Sequence, residues 1–370
     1  MAAQPPAALP APDAGLGRLR EQVVAADRAR RPLRIRGGGS KDFYGNQTAV
    51  GDLLDCRDHA GIVDYEPTEL VVTARCGTPL AELEQTLTRA NQYLPFEPPH
   101  FGPAATVGGM VAAGLSGPRR LATGALRDYV LGALLLTSRG ELLQFGGRVM
   151  KNVAGYDVAR VLAGSLGVLG VIAEVSLKVL PRPAVERTLQ FGFGEAEAIR
   201  RCNQWGGEPL PISATLWYDG VLTVRLSGAA AAVDAASRKL GGEPMPAADA
   251  EALWSSVREQ QHLFFAATPV LWRLALPPAT PPLELAGRQL IEWGGGLRWF
   301  VPQPDHAASQ SLRDLVARVG GSATLFRVGP RATVPRFHPL DPALRRIHER
   351  LKRAFDPNRT LNPGRLYDWL

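Results

Sequence analysis

Hydrophobic positions along the first half of the chain change between helical and extended spacing. Leu16, Leu19 and Val23 recur at the spacing of one helix face. The short segments Leu33–Arg36 and Leu70–Ala74 have the apolar character of strands. The pattern therefore predicts mixed helices and strands from the start of the chain.

A helix is expected after Thr78 and Pro79. Threonine is a favoured N-cap residue and proline fits the first helical position. Leu80, Leu83 and Leu87 then lie on one face of the predicted helix.

Further strands are predicted before residue 182. Val130–Thr137 and Glu141–Phe145 flank a Ser-Arg-Gly turn, which indicates a hairpin. Val171–Val179 alternates between apolar and other side chains, so one face of this strand is expected in the core. Pro181-Arg182-Pro183 then ends the strand, and the sequence predicts a domain boundary there.

From residue 184 to about 330, the predicted strands and helices follow one another in a different order from that of the first 182 residues. The order strand–helix–strand–strand–helix resembles a ferredoxin-like sheet with helices on one side. The predicted helices lie near 195–205, 229–240 and 308–318, and Pro342–Phe355 forms a last helix. The predicted strands are Thr188–Phe193, Ser213–Tyr218, Val221–Leu226, Leu271–Leu276, Leu297–Val301 and Ala323–Val328.

Composition narrows the classes of function. The net charge is +7, but only 5 of the 42 basic residues are lysines and the arginines are scattered, which favours a solvated surface over nucleic-acid binding. The three cysteines lie far apart in sequence, so neither a zinc site nor an iron–sulfur cluster is predicted. Their small, odd number is typical of a protein of the reducing cytoplasm.

Three segments concentrate glycine. Arg36–Lys41 follows a predicted strand, and its N–H groups could converge on an anion, although a flexible turn explains it equally well. Pro103–Gly117 has too much glycine for a stable isolated helix, which fits either contact with a ligand or close helix packing. Gly164–Ile172 leads into the alternating strand. None of the three matches a P-loop or a Rossmann fingerprint, so the residues alone indicate a phosphate-bearing ligand held by several loops.

The combination and order of these segments resemble the FAD domains of the p-cresol methylhydroxylase and vanillyl-alcohol oxidase type. Arg-Gly-Gly-Gly-Ser at 36–40, Thr-Val-Gly-Gly at 106–109 and the Gly-rich 164–172 carry the resemblance, and 355–365 resembles the closing segment of FAD-linked oxidases. Over nearly the whole chain the sequence is similar to the small flavin subunits of bacterial glycolate dehydrogenase. The motifs that carry this closer resemblance are Lys151–Asp157, Leu216–Gly220, Ile291–Gly295 and Arg298-Trp299.

The resemblance implies an α+β fold with a two-subdomain FAD-binding domain over residues 1–182. It further implies a ferredoxin-like α+β cap over 183–330 and a helix and tail returning to the FAD domain over 331–370. The residues that it places around FAD are Gly37, Gly38, Gly39, Ser40, Lys41, Thr106, Val107, Gly108, Gly109, Gly114, Ser116, Arg127, Asp128, Gly167, Val171 and Ile172. Asn362 is an equally good match to a simple C-terminal turn.

Two departures from the family pattern affect the chemistry. Leu166 stands where many relatives carry an acidic residue, and 37–41 lacks the His or Cys that attaches flavin covalently in some relatives, so non-covalent FAD is expected. The six histidines form no metal-binding motif of the kind found in complete 2-hydroxy-acid relatives, and no metal is expected. No catalytic base is identified; Tyr156 and Lys151 fit a structural role as well as a chemical one.

The resemblance therefore predicts a flavin subunit of a hetero-oligomer that oxidises glycolate or another small 2-hydroxy acid. The expected partners are a larger FAD-binding subunit and an iron–sulfur subunit, with no nucleic acid and with membrane contact only through the complex. A cytoplasmic location is expected. Two alternatives remain: a self-sufficient FAD-linked oxidase, and an assembly subunit with a vestigial FAD site.

Overall fold

The fold is described by a computed structural model over residues 13–47, 51–147, 157–266, 269–303, 309–329 and 334–370. Within these residues the strands form a five-stranded antiparallel sheet, an eight-stranded antiparallel sheet and two strand pairs. None of the helices in the described ranges is long and apolar enough to cross a bilayer.

The first unit contains the five-stranded sheet, whose strand order is β3-β4-β8-β6-β7, and the parallel pair β1-β2. In chain order its elements are α1 (Ala14–Ala29), β1 (Leu33–Arg36), β2 (Asp52–Asp55), β3 (Ile62–Glu66), β4 (Val71–Arg75), α2 (Leu80–Arg89), β5 (Gln92–Tyr93), α3 (Val107–Ala113), α4 (Arg120–Thr123), β6 (Val130–Leu136), β7 (Leu142–Gly146), α5 (Val158–Leu162), β8 (Val171–Lys178) and β9 (Leu180–Pro181). The predicted hairpin is confirmed as β6 and β7, which pair antiparallel.

Strand β8 differs from its predicted pattern. The alternation predicted one buried face, but the pairing of β8 with β6 shifts register between Glu174 and Ile172. As a result Ala173 packs with Leu16 and Leu134, whereas Val175 and the apolar residues after it pack in the main core. β8 is the central strand, so both of its faces are covered.

The start of α2 also differs from the prediction. Pro79 is the N-cap residue, and Leu80 is the first residue of the helix. The Thr78 hydroxyl instead accepts from Gly61 N at 2.9 Å and donates to Gly61 O at 3.0 Å, so it fixes the turn before β3.

The cap contains the eight-stranded sheet, with the strand order β13-β10-β12-β11-β15-β16-β14-β17. Its elements are β10 (Val185–Gly192), α6 (Glu195–Gly206), β11 (Ile212–Tyr218), β12 (Val221–Gly228), α7 (Ala230–Leu240), β13 (Glu243–Pro244), α8 (Ala247–Arg258), β14 (Leu271–Ala275), β15 (Gly287–Glu292), β16 (Leu297–Pro302), α9 (Ser309–Arg318) and β17 (Ser322–Arg327). Strands β10 to β13 have the order of a ferredoxin-like unit, and β14 to β17 repeat that order in the other half. The predicted α+β class with a ferredoxin-like cap is confirmed, with two such halves joined where β11 pairs β15.

The predicted set lacks three cap elements, the two-residue strand β13, the strand β15 and the helix α8. β15 carries polar residues in its first half, which hides its strand pattern. α8 packs through Ala250 and Trp254 in one cluster with Leu216. The helices α6 and α7 pack in another cluster with Leu222 and Val224. The helices therefore cover both faces of this half of the sheet rather than one.

The last part of the chain returns to β1. Helix α10 (Pro342–Phe355) has the predicted bounds. After it, Leu361 forms a parallel bridge with Leu33, and Leu33 N donates to Thr360 O at 2.7 Å. The predicted boundaries at residues 182 and 330 are not tested by this arrangement and stay predictions.

Candidate functional site

The glycine-rich segments meet around a cavity in the first unit. Its walls come from residues 35–42, 106–113 and 166–172, together with Asn362 and Arg365 from the C-terminal tail. The segments lie far apart in sequence, and the tail completes the wall.

The loop Gly37–Lys41 presents a row of backbone donors to this cavity. Within the described residues, none of its five N–H groups donates a hydrogen bond. A Cβ atom at Gly37 would overlap the Thr106 hydroxyl, and one at Gly38 would overlap the Ala104 carbonyl. Glycine is needed here because the loop packs directly on the second glycine-rich segment, which leaves the N–H row facing the cavity.

The second segment forms the start of α3. The Thr106 hydroxyl caps this helix by accepting from Gly109 N at 3.3 Å. A Cβ atom at Gly108 would overlap Cys76, whereas one at Gly109 would meet only the Thr106 hydroxyl, at 3.1 Å. Gly108 therefore allows close packing, and Gly109 keeps the cavity wall open.

The third segment is held by the tail. Asn362 Oδ1 accepts from Ile35 N at 2.7 Å, and its Nδ2 donates to Leu166 O at 2.6 Å. Arg365 donates to Asp42 O at 2.8 Å and to Asn46 O at 2.9 Å. These contacts connect the first loop, the third segment and the tail into one wall.

Positive charge lies at the rim of the cavity. Lys41 Nζ donates to His100 O at 3.1 Å, and burial lowers the pKa of this amine to about 8. Burial also lowers the pKa of Arg365, with Asp42 opposing the shift. Cations that are partly removed from water favour an anionic ligand.

Two thiols lie at the cavity wall. Cys56 and Cys76 are both buried. The hydrogen bond with Cys56, followed by burial, raises the pKa of the Cys76 thiol. A neutral thiol is a poor nucleophile.

The structure brings eleven of the sixteen predicted site residues to this cavity. The five others lie elsewhere. Val107 is fully buried in the core, and Gly114 ends α3 in a left-handed turn against Gly164.

The other three residues outside the cavity lie between residues 116 and 128. The Ser116 hydroxyl accepts from Leu126 N. The last two, Arg127 and Asp128, lie exposed on a short 3-10 helix, where Asp128 accepts from Ala125 N.

Several wall residues were missed by the sequence reasoning. Asn362, which the sequence fits equally well to a C-terminal turn, lies on the wall. The match of 355–365 to a family closing segment was the signal that could have found Arg365 as well. The other missed residues are Ile35, Arg36, Asp42, Cys56, Cys76, Ala112, Ala113, Leu166 and Gly170.

Some predictions fall on residues that the structure does not describe. Both residues considered for a catalytic role, Lys151 and Tyr156, lie in the segment Lys151–Tyr156, which is outside the described residues. Among the residues that are described, no group of three or more His, Cys, Asp or Glu side chains is placed to hold a metal ion.

The geometry fits a dinucleotide such as FAD. The pyrophosphate of such a ligand needs converging donors without side-chain obstruction, which the 37–41 loop and Gly109 provide.

Comparison with known proteins agrees with this geometry. Residues 17–146 match the model of a FAD binding domain family. The chain is 46% identical to the glycolate oxidase subunit GlcE of Escherichia coli K12 over 349 residues, 94% of this chain and 96% of that protein.

More distant relatives share part of the chain or its fold. Glycolate oxidase subunit GlcD of Bacillus subtilis 168 is 30% identical over 159 residues, 43% of this chain and 34% of that protein. Alkyldihydroxyacetonephosphate synthase superposes with a TM-score of 0.64 at 15% identity, covering 93% of this chain and 74% of that one. This last similarity shows the fold alone.

Proposed function

Because the chain belongs to the family of the glycolate oxidase subunit GlcE, we propose that it is the FAD-binding subunit of a complex that oxidises glycolate or a related small 2-hydroxy acid. FAD is the cofactor, as the matched FAD binding domain supports. When bound, FAD accepts a hydride equivalent and passes electrons on singly or in pairs.

The row of unpaired N–H groups at Gly37–Lys41 carries this proposal. The loop and Gly109 would hold the pyrophosphate, and Lys41 and Arg365 would compensate its charge. The intact wall is also the reason to prefer a working FAD site over a vestigial one.

The proposed partners are a larger FAD-binding subunit and an iron–sulfur subunit. The relatives GlcE and GlcD are both named as glycolate oxidase subunits. This chain has three cysteines, fewer than the four thiolates of a typical cluster, so an iron–sulfur carrier would have to be another chain. The complex, rather than this chain, would then account for any contact with a membrane.

An anaerobic absorption experiment tests the proposal. The purified chain, loaded with FAD, is expected to show flavin bands, and glycolate added without oxygen is expected to bleach them in the assembled complex. Bleaching in the isolated chain would make it a catalytic subunit on its own. Absence of flavin bands after loading would refute the proposed function.

Gly109→Leu should weaken FAD binding by about a hundredfold or more, since loss of the pyrophosphate contacts removes several charge-assisted hydrogen bonds. An added Cβ atom meets only the Thr106 hydroxyl, and because Gly109 lines the cavity, we expect the rest of the leucine side chain to occupy it. The affinity is measured by fluorescence titration of the apoprotein with FAD.

Gly17→Leu is the matched control for this variant. Gly17 also lies in a helix, α1, and a Cβ atom there meets nothing within 4 Å. Unchanged affinity in Gly109→Leu would show that FAD does not occupy this cavity. Substitution of Gly38 or Gly108 is a poorer test, because their added atoms would clash with protein rather than with ligand.

Acid precipitation should release all of the FAD into the supernatant. Cys56 and Cys76 are the thiols nearest the cavity among the described residues, and the raised pKa of Cys76 keeps it protonated. Intact-mass spectrometry of the denatured chain checks the result. A mass increased by one FAD would contradict non-covalent binding.

A further inference from the structure

A carboxylate at the end of cap helix α8 is bound to the loop before α3. Glu259, the C-cap residue of α8, accepts from Phe101 N at 2.8 Å and from His100 N at 3.1 Å. Both donors lie between β5 and α3, in the first unit. The Arg258 guanidinium also donates to Glu259, at 2.8 Å. Donors from both units therefore fix this carboxylate at the interface.

The same loop contacts the lysine at the rim of the FAD cavity. Lys41 Nζ donates to His100 O at 3.1 Å and to Ser40 Oγ at 3.3 Å, and it lies 5.7 Å from the centroid of the Phe101 ring. An ammonium has three donors, so one is left for an oxygen of the ligand. The backbone of His100 thus connects Glu259, through its N–H, with Lys41, through its carbonyl.

The loop is strained at the point where Glu259 binds it. Phe101 has a left-handed φ of 52°, which is unfavourable for a bulky residue, and Gly102 follows with a φ of 125°. A strained backbone persists only where the surrounding structure holds it. The hydrogen bond from Phe101 N to Glu259 is such a contact. Without the carboxylate, the loop and the His100 carbonyl that Lys41 binds would be free to move.

Glu259 also acts on Lys41 through its charge. Burial lowers the pKa of Lys41 to about 8, and the negative charge of Glu259 opposes this shift. Lys41 forms no ion pair with a carboxylate of the described residues, and Glu259 lies outside the cavity wall. An acid inside the cavity would repel a pyrophosphate. An acid behind the loop favours the protonated amine and leaves the cavity positive.

Other charged and titratable groups lie near Lys41, on the cavity wall, on the loop and on the helices packed against it. They are Arg36, Asp42, Cys56, Cys76, Glu84, His100, Arg258 and Arg365. Asp42 is paired with Arg36 at 2.7 Å, and Glu84 Oε2 lies 2.9 Å from His100 Nε2. Among the described residues, Glu259 is the charged group that raises the pKa of Lys41.

We propose that Glu259 is a positioning residue for FAD: from the cap, it holds the loop that orients Lys41 and keeps a positive charge at the pyrophosphate. The inference rests on the proposed function, because it assigns Lys41 to the pyrophosphate of that cofactor. The cap, and not only the first unit, then determines how tightly FAD is held near neutral pH.

Fluorescence titration of the full-length apoprotein with FAD, repeated from pH 6.5 to pH 9, tests this role. Wild type should bind FAD more weakly as pH rises through about 8, because Lys41 loses its charge there. In Glu259→Gln this loss should begin at lower pH. Relative to pH 6.5, the variant should have lost about threefold to tenfold more affinity than wild type by pH 8. A purely structural role would weaken binding by the same factor at every pH.

Three further variants separate the charge from the packing. Glu259→Asp keeps the charge and should show the pH profile of wild type, even if its affinity is lower throughout. Lys41→Met should flatten the profile, and adding Glu259→Gln to it should restore no pH dependence. Glu251→Gln is the matched control, since Glu251 is an exposed carboxyl on the same helix α8.

Parallel profiles for wild type and Glu259→Gln would overturn the role of Glu259 and leave the FAD proposal standing. The same holds for a wild-type affinity that does not change between pH 6.5 and pH 9, and for a Glu259→Asp profile displaced as far as that of Glu259→Gln. Wild type that binds no FAD at any pH would refute the proposed function itself.

Discussion

Replacing Lys352 with methionine is expected to lower the free energy of unfolding by about 3–5 kcal/mol, the cost of breaking a buried ion pair by removing one partner. Lys352 is 1% exposed and Asp356 is fully buried. Lys352 Nζ donates to Asp356 Oδ2, Val168 O and Leu361 O, each at 2.7 Å. Methionine has a similar length but donates to none of them.

The same change is expected to weaken FAD binding, because Lys352 organises the tail that completes the cavity. Asp356, which Lys352 neutralises, accepts from Thr360 N at 3.0 Å and from Leu361 N at 2.8 Å. Leu361 is bridged to β1, and Asn362 follows it on the cavity wall. If the tail loses these contacts, Asn362 no longer holds the third glycine-rich segment in the cavity wall.

Urea unfolding followed by circular dichroism measures the change in stability, and flavin titration measures the change in affinity. Arg353→Met is the matched control, since Arg353 is the next residue of α10 and is exposed. A midpoint for Lys352→Met close to that of Arg353→Met would show that the buried pair does not hold the tail in place.

The glycine loops were predictable because their spacing is local and characteristic. Gly37–Lys41 and Thr106–Gly109 were identified from short runs, and the structure brings most of those residues to one cavity. The reason for some of the glycines was not predictable. The sequence leaves a ligand contact, a flexible turn and close helix packing open for Gly38 and Gly108, and in the structure their missing side chains make room for protein atoms.

The tail and the contact between the first unit and the cap show why other features were not predictable from the sequence. Lys352 lies on a helix rich in arginine, where a basic residue is ordinarily exposed, and its burial depends on carbonyls from Val168 and Leu361. Arg120 and Arg273 both lie over the Trp293 ring, but they are separated by many residues and belong to different units, so no spacing rule relates them. Pairing across an interface is determined by tertiary contacts rather than by local pattern.

Glu292→Gln should remove a pH dependence of stability that wild type shows between about pH 4.5 and 7. Burial raises the pKa of Glu292 from 4.5 to about 7, with the Trp299 hydrogen bond and Arg273 opposing the shift and Glu97 adding to it. In this window the folded state holds a proton that the unfolded state has lost. The contribution of Glu292 is therefore fully present below pH 4.5, and it is lost as pH rises through 7.

The size of this loss follows from the shift, up to about 3 kcal/mol at 1.36 kcal/mol for each pH unit. Urea unfolding at pH 5 and pH 8 measures it as a difference between wild type and Glu292→Gln, which cancels the titration of other groups. Glu284→Gln, an exposed carboxyl before β15, should run parallel to wild type. If Glu292→Gln also runs parallel, the carboxyl of Glu292 has the same pKa in the folded and the unfolded protein, and burial does not hold a proton on it.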